Sequence, residues 1–312
     1  MVNLISNSVS QSGSFYGIKY KRFESKNGTS TYPPKNESIA TTDKYKKTSV
    51  FYLPFYTNAN VKNISFTKNS ANSLTVKDLA KEYTIQLENN RPWFEARKGN
   101  ILQPSEISPK TLEMIAEKSL KDMEEIPADK ILYIVSGRIG CGKTTFVKQK
   151  QFGEYCYIPD CDEIKPFLPG YKDRDSSYVH LASSSILAAN LYEAFKKGLN
   201  VVFQTSTEER FLDTVLEKAK QCGYKKIVMF HINTSEENSI DRANKRSMAT
   251  GRFIKPDVIR SQKYIDDLVS IYQNPQKGLS ELIVYDNNSK DFIEVEHFTM
   301  NGDKDESITN YI

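Results

Sequence analysis

The stretch Gly137-Arg-Ile-Gly140-Cys-Gly142-Lys143-Thr144 constrains this chain more than any other. It satisfies the pattern G-x-x-x-x-G-K-S/T without departure. Before it runs ILYIVS (131–136), a continuous apolar segment of the kind that forms a strand buried on both faces. After it comes the helical run Thr145-Phe-Val-Lys-Gln. Glycines at these places let the main chain wrap closely and turn successive N–H groups toward an anion. The start of the following helix adds a positive dipole end. Residues Gly137, Arg138, Ile139, Gly140, Cys141, Gly142, Lys143, Thr144 and Thr145 therefore read as a triphosphate cradle. Lys143 would reach the β- and γ-phosphates, and the Thr144 hydroxyl would ligate Mg²⁺. The competing reading is a glycine-rich turn, which has no need of these two flanks. The guanine-selecting N/T-K-x-D motif is absent from the sequence, so ATP is the expected nucleotide.

The rest of the chain supplies a fold for such a loop. Strand candidates at 155–158, 199–204, 226–232 and 281–286 alternate with helical segments at 143–151, 178–197, 208–222, 236–250 and 256–272. This alternation predicts an α/β fold of the P-loop NTPase or kinase kind over residues 128–290. Its sheet would be mostly parallel and doubly wound. Sites in such sheets gather at the carboxyl ends of the strands. Ahead of this domain, 61–127 reads as a helical extension. One helix is expected over 76–89, on Leu79, Ala80, Tyr83, Ile85 and Leu87, and another over 108–125, with Leu112, Ile115, Leu120 and Met123 inward. Residues 1–60 read as a polar leader and 291–312 as a polar tail.

Charge and composition exclude several classes. Residues 1–50 hold 18 Ser, Thr or Asn, and eight Lys or Arg against three Asp or Glu; the remaining chain holds 35 basic against 36 acidic residues. The basic excess thus belongs to the leader, and a balanced body disfavours nucleic acid as a partner. No run approaches the roughly 18–20 apolar residues of a membrane span. The first twenty residues contain no apolar h-region, which argues against a Sec-type signal. The four cysteines (Cys141, Cys156, Cys161, Cys222) form no CxxC pair and read as reduced thiols. A cytoplasmic protein is expected; the polar leader also suits an effector secreted without a Sec signal.

Chemistry beyond the loop comes from three groups. Asp160 and Asp162 end the candidate strand at 155–158. A carboxylate there would accept or orient the proton of an acceptor hydroxyl, and Asp162 would hold the metal through water. Capping of a following helix is the competing use of either residue. Lys165 follows as a phosphate partner or a surface lysine. Arg242 and Arg246, four residues apart, share a helix face, and Arg252 follows Gly251, a helix stop. Guanidinium groups suit phosphate clamping because they stay charged and fork. Gln204, Thr205 and Ser206 end a buried strand and so face the site by position.

The phosphate loop, the Asp160-x-Asp162-x-x-Lys165 segment before Pro-Phe-Leu-Pro-Gly-Tyr, and Arg242-x3-Arg246-x3-Thr-Gly-Arg252 before Ile-Lys-Pro-Asp occur in that order. With these motifs, residues 128–290 resemble the zeta-toxin family of P-loop kinases. The resemblance implies ATP and Mg²⁺ as cofactors and a sugar hydroxyl of UDP-N-acetylglucosamine as acceptor. It implies nucleotide and metal binding by Lys143 and Thr144, a base at Asp162, and phosphate clamping by Arg242 with Arg246 or Arg252. It also implies an antitoxin or chaperone partner. Two carboxylates that contact the sugar in that family are missing here: Gln204 stands in one place and Ala188 falls near the other. A zeta-like effector kinase acting on the adenosine ribose of NAD is accordingly the second reading. The rivals from other classes are a polynucleotide end kinase and a non-catalytic nucleotide-binding module.

Overall fold

The computed structural model describes residues 14–15, 18–19, 74–172, 176–206, 209–250, 253–289 and 291–300. The chain divides into two compact units, Met1–Lys46 and Lys47–Ile312. In the first, β1 (Ser14–Phe15) and β2 (Ile18–Lys19) pair antiparallel, Ser14 opposite Lys19 and Phe15 opposite Ile18. The remaining leader residues, and 301–312 of the expected tail, lie outside the described residues.

The second unit begins with the helices α1 (Val76–Asn89), α2 (Arg91–Glu95) and α3 (Pro109–Asp122). Thr75 starts α1 with a reciprocal cap. Its hydroxyl accepts from the Asp78 N–H at 3.2 Å, and the Asp78 carboxylate accepts from the Thr75 N–H at 3.1 Å. Ser108 caps α3, and Pro109 occupies the first turn, where a missing N–H costs nothing. Helix α1, with Leu79, Tyr83 and Leu87 buried, packs both on the long helix α6 (Ser177–Lys197), which is buried along most of its length, and on α3, where Leu112, Ile115 and Ala116 are buried. Buried polar groups need partners, and here they bridge the helices. Tyr83 Oη donates to Asn190 Oδ1 (2.6 Å), Asn190 Nδ2 to Ser119 Oγ (3.0 Å), and Asn90 Nδ2 to Ser185 Oγ (3.1 Å). The amino-terminal helices therefore share a core with α6.

The sheet contains β3 (Ile131–Gly137), β4 (Val201–Thr205), β5 (Lys226–Asn233), β6 (Glu281–Asp286) and β7 (Ile293–Thr299), in the order β4-β3-β5-β6-β7. The first four are parallel and β7 runs antiparallel to β6. Ser136 lies opposite both Thr205 and His231, so β3, β4 and β5 end together. On one face α4 (Lys143–Gln149) places Phe146 against Phe230 (5.3 Å between ring centroids) and Tyr285 (5.0 Å). On the other, α7 (Glu209–Gln221) places Phe211 against Phe203 at 5.7 Å. Helices thus cover both faces, as the strand–helix alternation predicts. Among the described residues, no helix is long and apolar enough to cross a membrane.

Three local expectations need correction. The strand expected over 155–158 is a single bridge: the Tyr157 N–H donates to Asn200 O (2.8 Å) and the Val202 N–H to Tyr157 O (2.9 Å), on the outer edge of β4. Pro159 has no N–H with which to extend this ladder. The helix expected over 256–272 is broken into α9 (Pro256–Arg260), a 3₁₀ turn (Lys263–Asp267) and α10 (Leu268–Tyr272), following α8 (Glu236–Thr250) in the chain. The polar residues after Phe292 form β7, an edge strand. Its side chains remain largely exposed, so it lacks the apolar run of an interior strand.

Candidate active site

The phosphate loop connects β3 to α4 at the carboxyl edge of the sheet. Gly140 has φ +87°, and a Cβ there would lie 2.3 Å from Ser239 O. Gly142 begins α4 at φ +100°, and a Cβ would lie 2.6 Å from Asn287 Nδ2. A side chain at either place meets both an unfavourable backbone region and occupied space. Behind the loop, Asn287 Nδ2 donates to Cys141 O at 2.7 Å, and Cys141 is buried. Phe292 stacks edge-on against Phe146 at 5.3 Å.

At the mouth of the loop, Lys143 Nζ donates to Gly137 O (2.8 Å), Arg138 O (3.0 Å) and Ser206 Oγ (2.6 Å). Thr144 and Thr145 are exposed, and Thr144 Oγ1 donates to Gln204 Oε1 at 3.1 Å. The loop thus meets the end of β4 twice, through Lys143–Ser206 and Thr144–Gln204. Thr205, between those two partners, is buried opposite Ser136. The Arg138 side chain turns away from this mouth. It donates through Nη1 to Ile259 O (3.1 Å) and through Nη2 to both carboxylate oxygens of Asp266 (2.6 and 2.8 Å).

Asp160 caps the short helix α5 (Cys161–Ile164), its Oδ1 accepting from the Asp162 N–H at 2.8 Å. The capping bond, one of the two uses the sequence offers for it, is present. The Asp162 Oδ1 accepts from Lys165 Nζ at 2.7 Å, and Lys165 is only 4% exposed. Asp162 itself stays partly open to solvent. Both follow the bridge beside β4, which runs parallel to β4, so they lie toward the carboxyl edge of the sheet, with β4 between their segment and β3.

Arg242 Nη2 donates to Asn287 O (2.7 Å) and Ser289 O (3.0 Å), linking α8 to the loop after β6. Arg246, one turn further along α8, is half-buried. Arg252 lies outside the described residues. Beneath the loop, His231 Nδ1 pairs with Ser136 Oγ at 3.0 Å. Burial first, then the positive charges of Lys143 and Arg138, lower its pKa to about 4, so it is a neutral imidazole at neutral pH.

Residue patterns alone miss Asn287, His231, Gln262 and Asp266. Asn287 directly follows a strand end, and that position was a usable signal. Gln262 and Asp266 sit inside what reads as a continuous helix and carry no signal of their own.

A parallel core with helices on both faces, and a glycine loop that aims a lysine along the carboxyl edge, defines a P-loop nucleotide-binding protein. The Zeta toxin family model matches residues 116–292, more than half of the chain. The chain belongs to the zeta toxin family, and it is a nucleotide-binding phosphotransferase of the kinase type. Among solved structures it is similar to one from the PezAT chromosomal toxin–antitoxin system of the human pathogen Streptococcus pneumoniae. That match has 18% identity over 61% of this chain and 82% of the other, with a TM-score of 0.49. It is also similar to the native AvrRxo1-ORF1:-ORF2 complex (18% identity, 64% of this chain and 72% of the other, TM-score 0.47). The AvrRxo1-ORF1:-ORF2 structure with ATP matches at 15% identity over 71% of this chain and 67% of the other, with a TM-score of 0.46. No curated protein sequence matches the chain.

Proposed function

We propose that this chain transfers the γ-phosphoryl group of ATP to a hydroxyl of a small nucleotide-linked acceptor, UDP-N-acetylglucosamine in the pattern of its family. The observation that carries the reading is the Lys143 ammonium, held by Gly137 O and Arg138 O at the mouth of the loop beside the exposed Thr144 hydroxyl. Loop amides would bind the β-phosphate region, and Lys143 would offset charge on the transferring group. Asp162 would take the acceptor proton as the new P–O bond forms and the bond to the β-phosphate bridging oxygen breaks, releasing ADP. Arg246 and Arg252 would add positive charge as the phosphoryl group moves. Arg242, held on the carbonyls of Asn287 and Ser289, would act from that fixed place.

The oxygens of Thr144 and Gln204 fit Mg²⁺, a hard cation that keeps several waters and takes its remaining ligands from phosphates. Among the described residues no group of three His, Cys, Asp or Glu side chains offers a fuller cage. Thr144 and Gln204 would hold the ion, which would supply neutralisation of the charge that develops on the transferring phosphoryl group.

One observation favours a second acceptor. Gln204 brings a neutral amide to Thr144 where the family resemblance places a sugar-binding carboxylate. This supports the adenosine ribose of NAD as the alternative substrate, and with it delivery of the chain as an effector. An antitoxin or chaperone partner suits either version. The test is incubation of the pure protein with labelled ATP and a panel of UDP-sugars, NAD and nucleosides, read by mass spectrometry. A gain of one phosphate on UDP-N-acetylglucosamine or NAD is expected. Nucleotide binding with no phosphate on any acceptor would overturn the reading.

A further inference from the structure

We propose that Gln262 is a positioning residue that orients Lys143 from behind, through the peptide unit Arg138–Ile139 and through Ser206. The proposal rests on the reading of Lys143 as the residue that meets the nucleotide phosphates.

The geometry begins with the break between α9 and the 3₁₀ turn. Gln262 sits in that break (φ −82°, ψ 34°), which delivers a side chain only 3% exposed to the underside of the phosphate site. Its Oε1 accepts from the Ile139 N–H at 3.0 Å, and its Nε2 donates to Ser206 O at 3.2 Å. Each end of the amide thus meets a main-chain group of opposite character. Rotating the amide by half a turn would face donor with donor and acceptor with acceptor, so a single orientation is specified.

Those two contacts lie behind two of the oxygens that hold Lys143, Arg138 O and Ser206 Oγ. The Ile139 N–H and the Arg138 C=O belong to one planar peptide unit. One edge of that plane is fixed by Gln262; the other, Arg138 O, accepts from Lys143 Nζ at 3.0 Å. Ser206 is arranged likewise. Its carbonyl accepts from Gln262 and from Tyr264 Oη (2.7 Å), while its hydroxyl accepts from Lys143 Nζ at 2.6 Å. Arg138, itself 5% exposed, clamps the same segment to the loop through Ile259 O and Asp266. The segment Pro256–Asp267 therefore fastens both walls around the lysine. It is joined to α8, which carries Arg242 and Arg246, by only five residues of chain (251–255).

A double-mutant cycle on ATP affinity tests this, by titration to millimolar nucleotide, with thermal unfolding of every variant measured alongside. Gln262→Leu keeps the bulk and removes both hydrogen bonds. It is expected to weaken ATP binding about tenfold in the wild-type background and less than twofold in the Lys143→Ala background, because its effect passes through the lysine. Tyr264→Phe, which retains the ring and removes the hydroxyl's bond to Ser206 O, is expected to give about a threefold loss with the same dependence on Lys143. If Gln262→Leu does not fold, the Tyr264→Phe cycle decides. Equal losses in both backgrounds, or no loss in the wild-type background, would overturn the proposal and show a purely structural role. If Lys143→Ala alone leaves ATP affinity unchanged, the phosphate-loop reading fails instead, whatever the Gln262 variant does.

Discussion

The two walls of the candidate site are held by different means. The phosphate loop is fixed by long-range contacts: Gly140 lies under the main chain of Ser239 in α8, Gly142 under the Asn287 side chain, and Lys143 between its own loop and the end of β4. At the wall formed by 160–165 the two carboxylates meet near neighbours, through the Asp160 cap and the Asp162–Lys165 pair three residues apart, while Glu163 pairs with Lys118 and Cys161 meets Ser184 of α6. A wall assembled from remote pieces works as a unit, so damage to it should abolish binding and turnover together. A wall whose carboxylates meet near neighbours and whose backbone has these further anchors should tolerate change in one side chain, losing chemistry while keeping its shape.

Lys143→Ala should show the largest effect. Loss of the ammonium is expected to lower turnover by about 10³-fold, roughly 4 kcal/mol of transition-state stabilisation, and to weaken ATP as well. Steady-state kinetics together with a binding titration would check both halves. Asp162→Asn comes next and sharpens the contrast. Its neutral amide still accepts from Lys165, so ATP affinity should stay within about threefold of wild type while turnover falls about 10²-fold, near 3 kcal/mol. If ATP affinity falls as far as turnover does, the two walls are not independent.

The loop wall should also carry a pH signature. His231 has its pKa lowered to about 4 by burial and by the charges of Lys143 and Arg138, against 6.5 for an unperturbed histidine. As pH falls below 6.5 the unfolded chain binds the proton first, so stability is full above that value and declines toward pH 4. At about 1.4 kcal/mol per pH unit, roughly 2 kcal/mol should be lost between pH 6.5 and 5. Denaturant unfolding at the two pH values should show this slope, and His231→Gln should remove most of it. The smallest effect is expected where the amino-terminal helices meet α6. Tyr83→Phe leaves Asn190 Oδ1 without its buried donor and should cost about 1 kcal/mol of stability with no change in nucleotide affinity. A change in ATP binding there would mean that the amino-terminal helices act on the site as well as on the core.

Much of this architecture was legible before any coordinates. The helix at Val76–Asn89 and the strand at Glu281–Asp286 have the bounds their residue patterns predict, because capping and burial periodicity act over a few residues. The break at Gln262 was not legible. Residues 256–272 have helical spacing, yet hydrogen bonds to Ile139 and Ser206, and the grip of Arg138 on Asp266, accompany a break in it. Edge strand β7 escaped for the opposite reason: with one free edge and exposed faces it needs no apolar run.

The glycines, lysine and threonine of the loop, with the apolar strand before them, determined by local stereochemistry alone that a phosphate cradle would form between a strand and a helix. Only the tertiary structure decided what stands around it. Arg242 reaches carbonyls 45 and 47 residues away, and Gln262 bonds to groups 123 and 56 residues away. Such partners are set by which strand ends become neighbours once the sheet is assembled, and no short-range periodicity records that order.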